Sequence, residues 1–187
     1  GDVYKRQVKG CGAIFLMDQS NAGNASAINV YGGTFTDNAC LLSSTSYGSG
    51  SIARLKSPGA LHFYGGTFAN NTTAAGKNYE GIYLRDVSQK LGSNVYVHKL
   101  SADLNVYLTP YSAKVFMSRI VVDSALTHTI SVYIADNRVP AKGMPLVVGT
   151  DEYKLSEADL AMVKSANPKA TFYLDTENNA ICIAKAE

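Results

Sequence analysis

"AINVYGGTFTDN" at residues 27–38 returns as "ALHFYGGTFANN" at 60–71, with Tyr-Gly-Gly-Thr-Phe intact in both copies. The offset is 33 residues, and self-similarity at a fixed period of this size marks an array in which one supersecondary unit stacks on the next. Within each copy the residues alternate. Ile28 and Val30 oppose Asn29 and Tyr31, and Leu61 and Phe63 oppose His62 and Tyr64. Period two specifies strands with one buried face. Gly32-Gly33 and Gly65-Gly66 then supply a bend or a positive φ, after which Thr34-Phe35 and Thr67-Phe68 resume extended chain. Asn38 and Asn71 close each unit. Asn tolerates the left-handed conformation and bonds local backbone, as a corner requires.

Shorter apolar elements surround the copies: "GAIFL" at 12–16, "GSIARL" at 50–55 and "GIYLRD" at 81–86. Hairpin partners would be joined by compact two- to five-residue loops, whereas like motifs a full repeat apart stack most naturally in parallel. The expected ladder places Ile28 over Leu61, Phe35 over Phe68 and Asn38 over Asn71. Further along, "NVYV" (94–97), "LNVYL" (104–108), "VFMSRIVV" (115–122) and "ISVYI" (130–134) read as less regular coils. The first two lie so close in sequence that they are adjoining sides of a coil, or a hairpin, rather than stacked equivalents.

The tail has its own grammar. Ser156 precedes an apolar-periodic run, Asp159 stands at the reciprocal position of a capping box, and Leu155 with Leu160 can form a hydrophobic staple. A helix is expected from about Glu157 to Ala166, stopped by Pro168. "TFYLD" (171–175) and "AICIAK" (180–185), separated by "TENN", read as a closing hairpin.

"YGGTFTDN" and "YGGTFANN", preceded by "GAIFL"-like strands, resemble the Gly-Gly-Thr-Phe/Ile-x-x-Asn coils of bacterial surface proteins in the pectate-lyase-like superfamily. The tail, "VVGTDEYKLSEADLAMV" with "ATFYLDTENNAICIAK", is similar to the segment that closes such proteins. The resemblance implies an all-β, right-handed, single-stranded parallel β-helix of about three coils, with a small C-terminal cap of helix plus β-hairpin. The first seven residues, "GDVYKRQ", resemble the in-frame translation of a transposon adapter used for sequencing libraries. The expected organisation is therefore a non-native leader at 1–7, a truncated parallel β-helix at 8–135, and a closing segment of strand, helix and hairpin at 136–187.

Charge excludes some functions. The formal net charge is +2, lowered by one when Lys5, Arg6 and Asp2 are set aside as leader. Lys and Arg are scattered without a basic run, so no nucleic-acid surface is expected, and no apolar stretch is long enough for membrane insertion. Cys11, Cys40 and Cys182 form no Cys-x-x-Cys motif. A Cys11–Cys40 disulfide between neighbouring coils competes with buried free thiols acting as small apolar residues.

Lyases similar to pectate lyases need clustered carboxylates for calcium with an Arg or Lys base, and hydrolases on this fold need two or three neighbouring Asp. Asp18, Asp37, Asp86, Asp103, Asp123 and Asp136 are instead scattered, and each reads as a solvated turn residue. His62, His98 and His128 show no metal-ligand spacing, and no nucleophile motif is present, so neither metal nor cofactor is expected. Asn24, Asn70 and Asn71 match Asn-x-Ser/Thr, glycosylation acceptors in a eukaryotic host and ordinary turn residues in a bacterial one.

The candidate binding surface is outward Tyr31 over Tyr64, flanked by Asn29 and His62. Such a surface can hold sugar rings or a protein partner, or it can simply stack Tyr on Tyr for strand pairing. The expected function is a noncatalytic, extracellular module of a bacterial surface protein, a stalk or adhesin whose partners are host or microbial glycans or surface proteins. The alternative is the C-terminal remnant of a polysaccharide lyase or glycoside hydrolase, with its acidic cluster in coils upstream.

Overall fold

The computed structural model describes residues 3–4, 7–8, 14–17, 27–40, 53–56, 60–73, 81–86, 92–110, 112, 114, 117–134 and 139–185. The alternating segments form strands that visit four sheets in a fixed order. A first pass runs through β1 (Val3–Tyr4), β2 (Gln7–Val8), β3 (Ile14–Met17) and β4 (Ala27–Val30). A second runs through β5 (Thr34–Thr36), β6 (Ala39–Cys40), β7 (Ala53–Lys56) and β8 (Ala60–Phe63). A third runs through β9 (Thr67–Ala69), β10 (Thr72–Thr73), β11 (Ile82–Arg85) and β12 (Asn94–Val97). Each strand pairs in parallel with its counterpart in the next pass.

After β12 the described strands alternate between two sheets. β13 (Leu104–Thr109) and β15 (Ile130–Ile134) extend the β3-β7-β11 sheet, while β14 (Arg119–Val122) and β16 (Pro145–Gly149) extend the β4-β8-β12 sheet, all in parallel. "NVYV" and "LNVYL" therefore occupy different sheets, as adjoining sides rather than a hairpin. Among the described residues strands predominate and the helix spans six residues, so the class is all-β.

The register follows the repeat. Ile28 pairs with Leu61 and Phe35 with Phe68, the two Phe rings 5.5 Å apart. Inward residues of the two long sheets meet in one core: Leu61, Phe63, Val95, Val97, Ile120 and Val122 from one, Ile82, Leu84, Val106, Leu108, Ile130, Val132 and Ile134 from the other. All are buried. Burying each aliphatic or aromatic side chain of this kind contributes about 1.5–3 kcal/mol, and the repeated pattern stacks them pass on pass.

The corners differ from expectation by one residue. Positive φ falls on Asp37 (55°) and Asn70 (53°), not on Asn38 and Asn71. The latter two point inward and are buried. Asn38 donates to Asn71 Oδ1 from Nδ2 (2.8 Å) and from its backbone N (3.2 Å), and Asn71 Nδ2 donates to Phe35 O at 2.9 Å. The reason is satisfaction of buried backbone groups at a corner that no strand pairing serves. Asn167 repeats the device, donating from Nδ2 to Ile134 O at 2.7 Å. Glycine does supply the bend: Gly33 sits at φ 109° and Gly66 at φ 141°.

Asp86 also departs from the solvated-turn reading, since it is buried. Asp86 accepts from Met117 N (3.0 Å), Ser118 N (2.8 Å) and Ser118 Oγ (2.7 Å). It fastens the connection entering β14 to the end of β11.

The helix α1 (Glu157–Met162) starts as expected, with Ser156 as N-cap and Asp159 completing the capping box. It ends at Met162 rather than Ala166, because Val163–Ser165 pair in parallel with β15 as β17. Tertiary pairing there overrides helical periodicity. β18 (Ala170–Asp175) and β19 (Ala180–Lys185) form the expected antiparallel hairpin, and β19 joins β16.

Asp159 also accepts from Leu126 N at 3.0 Å and from the Tyr153 hydroxyl at 2.9 Å, tying the helix start to the preceding coil. Burial alone raises the Asp159 pKa, but bonds from Leu126 N–H, Ser156 and Tyr153 outweigh it and hold the carboxyl below its ordinary 3.8. A pKa depressed by folding stabilises the fold above the unfolded-state value, and that contribution is lost as pH falls through the folded-state value. Asp159→Asn is accordingly expected to flatten the acid side of the urea midpoint against pH below about pH 5. An acid limb identical to wild type contradicts this. Tyr153, by burial and by its bond to Asp159, is pushed up to about 12 and stays a donor throughout.

Candidate functional site

The outer face of the β4-β8-β12-β14 sheet carries the candidate site. Asn29, His62, Tyr96 and Val121 occupy one register position across these strands. Tyr31, Tyr64, His98 and Asp123 each follow directly on their strands, two residues along on the same face. Tyr64 N donates to Val30 O and His98 N to Phe63 O, both at 2.9 Å, so the alignment continues past the strand ends.

In-register parallel strands lie about 4.8 Å apart, close to the stacking distance of planar rings. Two columns result. Tyr31 stacks on Tyr64 at 4.9 Å and Tyr64 on His98 at 4.1 Å, with planes within 16° and 6°. His62 stacks on Tyr96 at 4.3 Å and 7°. The columns are joined where His62 Nδ1 meets His98 Nε2 at 3.0 Å. His98 Nδ1 is in turn hydrogen-bonded to the Asp123 carboxylate, and the Ser124 hydroxyl donates to His98 O at 2.7 Å.

Stacking decides what the surface can offer. Both faces of Tyr64 are covered, so it presents a ring edge and a hydroxyl. Tyr31 is 75% exposed and Tyr64 38%, and among the described residues Tyr64 is the ring that stacks on Tyr31. The exposed Tyr31 ring, a row of polar ring edges and the exposed amide-bearing Asn29 make an elongated surface of apolar area with polar handles. His62 is held below its ordinary pKa of 6.5, chiefly by burial and then by the neighbouring His98. It is neutral at physiological pH.

Of the expected site residues, Tyr31, Tyr64 and His62 are brought together, and Asn29 lies exposed at the register position of His62. Tyr96, His98 and Asp123 were missed, and His98 is bonded to His62. The signal was present: "NVYVH" at 94–98 aligns under "ALHFY" at 60–64, which puts Tyr96 under His62 and His98 under Tyr64. Asp123 follows a shorter pass with no motif of its own. Among the described residues no group of three His, Cys, Asp or Glu is arranged to hold a metal. Both nitrogens of His98 are already engaged.

A second ladder provides an internal comparison. Tyr83, Tyr107 and Tyr133 stack at 5.3 and 4.8 Å across β11, β13 and β15, but Tyr83 is buried. Ring stacking alone thus serves strand pairing. Exposure and the Asp–His–His chain set the first ladder apart. Cys182 is a buried free thiol in β19, with its pKa raised mainly by burial. The Cys11–Cys40 pairing lies outside the described residues, as do Asp18, Asp136 and Asn24.

Comparison with protein families, curated proteins and solved structures finds no match to this chain.

Proposed function

We propose that this chain is a noncatalytic module of a bacterial cell-surface protein, a right-handed parallel β-helix serving as stalk or adhesin, which binds glycans along the Tyr31–Tyr64–His98 face. The observation that carries this reading is the exposed ladder, three stacked rings capped by an open Tyr31 face and edged with polar groups. The cyclic visiting of four sheets with parallel pairing between passes supports the β-helix. Connections between parallel strands of one sheet are right-handed in about 98% of cases, which supports the hand.

In this reading the Asp–His–His chain orients hydrogen bonds on the ladder face. A microarray of host and microbial glycans probed with the full chain, followed by analysis of the retained glycan for new reducing ends or unsaturated products, tests the reading. Retention with the glycan intact is expected. Cleavage products, or no retention on any glycan, would overturn it.

Tyr64→Ala removes two stacking partners and is expected to lower stability by about 1–3 kcal/mol as well as weaken retention. Urea unfolding measures the first effect and the array the second.

A further inference from the structure

We propose that the His62–His98 contact is an acid-released latch between the two ring columns, closed at neutral pH and opened when both imidazoles are charged, so that a ligand held on this face is let go in acid. The release rests on the glycan-binding reading above, and the latch on the geometry alone. The two imidazole planes lie within 8° of each other and their centroids are 5.3 Å apart, with His62 Nδ1 and His98 Nε2 at 3.0 Å. The rings therefore meet edge to edge, nitrogen facing nitrogen. Such a contact holds one proton, with one nitrogen donating and the other accepting. Either imidazole can supply that proton, and the contact survives a single positive charge on either ring. A second charge puts a proton on both facing nitrogens. Two donors and two like charges then oppose each other at 3.0 Å, and attraction turns to repulsion.

The surrounding groups do not cancel the second charge. Asp123 is bonded to the other nitrogen of His98, and one carboxylate offsets one imidazolium. Asn29 and Tyr31 come from the β4 side, Tyr64 follows β8, and Tyr96 lies on β12 with exposed Lys99 beyond it, a further cation. On β14, Arg119 lies two residues before Val121 on the same face, its guanidinium donating to Ser118 O at 2.8 Å. Asp151 and Glu152 follow β16 and are exposed, so solvent and salt screen their charges. Burial and then His98 hold His62 below its ordinary 6.5, which puts the second charge on the acid side of that value. His62 stacks on Tyr96 and His98 on Tyr64. Parting the imidazoles therefore shifts both columns at once.

The chain holds three histidines, so each imidazole can be followed in the ¹⁵N-labelled full chain from about pH 8 to about pH 4.5, together with the Tyr64 and Tyr96 ring protons. The expected result is two steps shared by His62 and His98 and separated by more than about one pH unit, with the Tyr signals moving on the second alone. The glycan best retained on the array is then measured at about pH 7.5 and about pH 5. Wild type should lose about tenfold in affinity across that interval. His62→Gln, whose amide donates or accepts at any pH, should keep at the lower pH whatever affinity it has at the higher. His128→Gln, which leaves the ladder histidines in place, should behave as wild type. Independent one-step titration of each imidazole, or Tyr signals that move with the first step, overturns the latch. Glycan affinity that is equal at both pH values, or a loss that His62→Gln shares in full, overturns the release. If no glycan is retained at either pH, the glycan reading falls, and the two-step titration by itself upholds or overturns the latch.

Discussion

Asp86→Ala is expected to lower unfolding free energy by about 3–4 kcal/mol, among the largest effects of a single substitution in this chain. The carboxylate is buried and accepts from Met117 N, Ser118 N and Ser118 Oγ. Ser118 Oγ in turn accepts from Ser93 N at 3.0 Å, so the network joins three successive segments. Truncation leaves two backbone donors without this acceptor in a site that water reaches poorly, each costing about 1–3 kcal/mol. Arg119 adds to the loss: burial lowers its pKa and the Asp86 charge opposes that shift, so Asp86→Ala removes a compensating charge. Asp86→Asn keeps one acceptor oxygen and should lose about half as much. Urea unfolding followed by circular dichroism measures both. A loss under about 1 kcal/mol for the Ala variant would show that water replaces the carboxylate.

Asn71→Ala is expected to cost about 3 kcal/mol. One side chain serves Asn38 N, Asn38 Nδ2 and Phe35 O, all at the buried corner between the second and third passes. Removing it takes away a bond from two donors and one acceptor at once. Asn38→Ala leaves the Asn71 bond to Phe35 O in place and should cost less, about 1–2 kcal/mol. Because the two residues bond each other, the double variant should lose less than the sum of the singles, by about 1 kcal/mol. Additive losses would mean that the ladder does not act as a unit.

The repeat made much of this fold legible. Matching "YGGTF" motifs set Phe35 over Phe68 and Asn38 over Asn71, because side-chain identity at fixed spacing is what parallel stacking requires. Capping at Ser156 and Asp159 was equally readable, since its geometry is local. What escaped depended on contacts between segments of unlike length. Val163–Ser165 have helical spacing, and the β15 edge makes them a strand. Asp86 looks like any turn aspartate until Met117 and Ser118 fold over it. At the site, Tyr31, Tyr64 and His62 fell inside the matching copies and were found. Tyr96 and His98 lie in a copy that has lost its glycines, and Asp123 comes after a shortened pass, so the Asp–His–His chain was invisible to motif matching.

That an exposed ladder binds a glycan, rather than merely pairing strands, is tested most directly at its open end. Tyr31 stacks on one described ring and is 75% exposed, so Tyr31→Ala should change stability by no more than about 1 kcal/mol. The decisive measurement is the calorimetric affinity of this variant, against wild type, for the glycan best retained on the array. A loss of about tenfold or more is expected, one stacked ring's worth, with the unfolding midpoint nearly unchanged. Equal affinity for the two proteins would contradict it and return Tyr31 and Tyr64 to the role of Tyr83 and Tyr107, rings stacked to hold strands together.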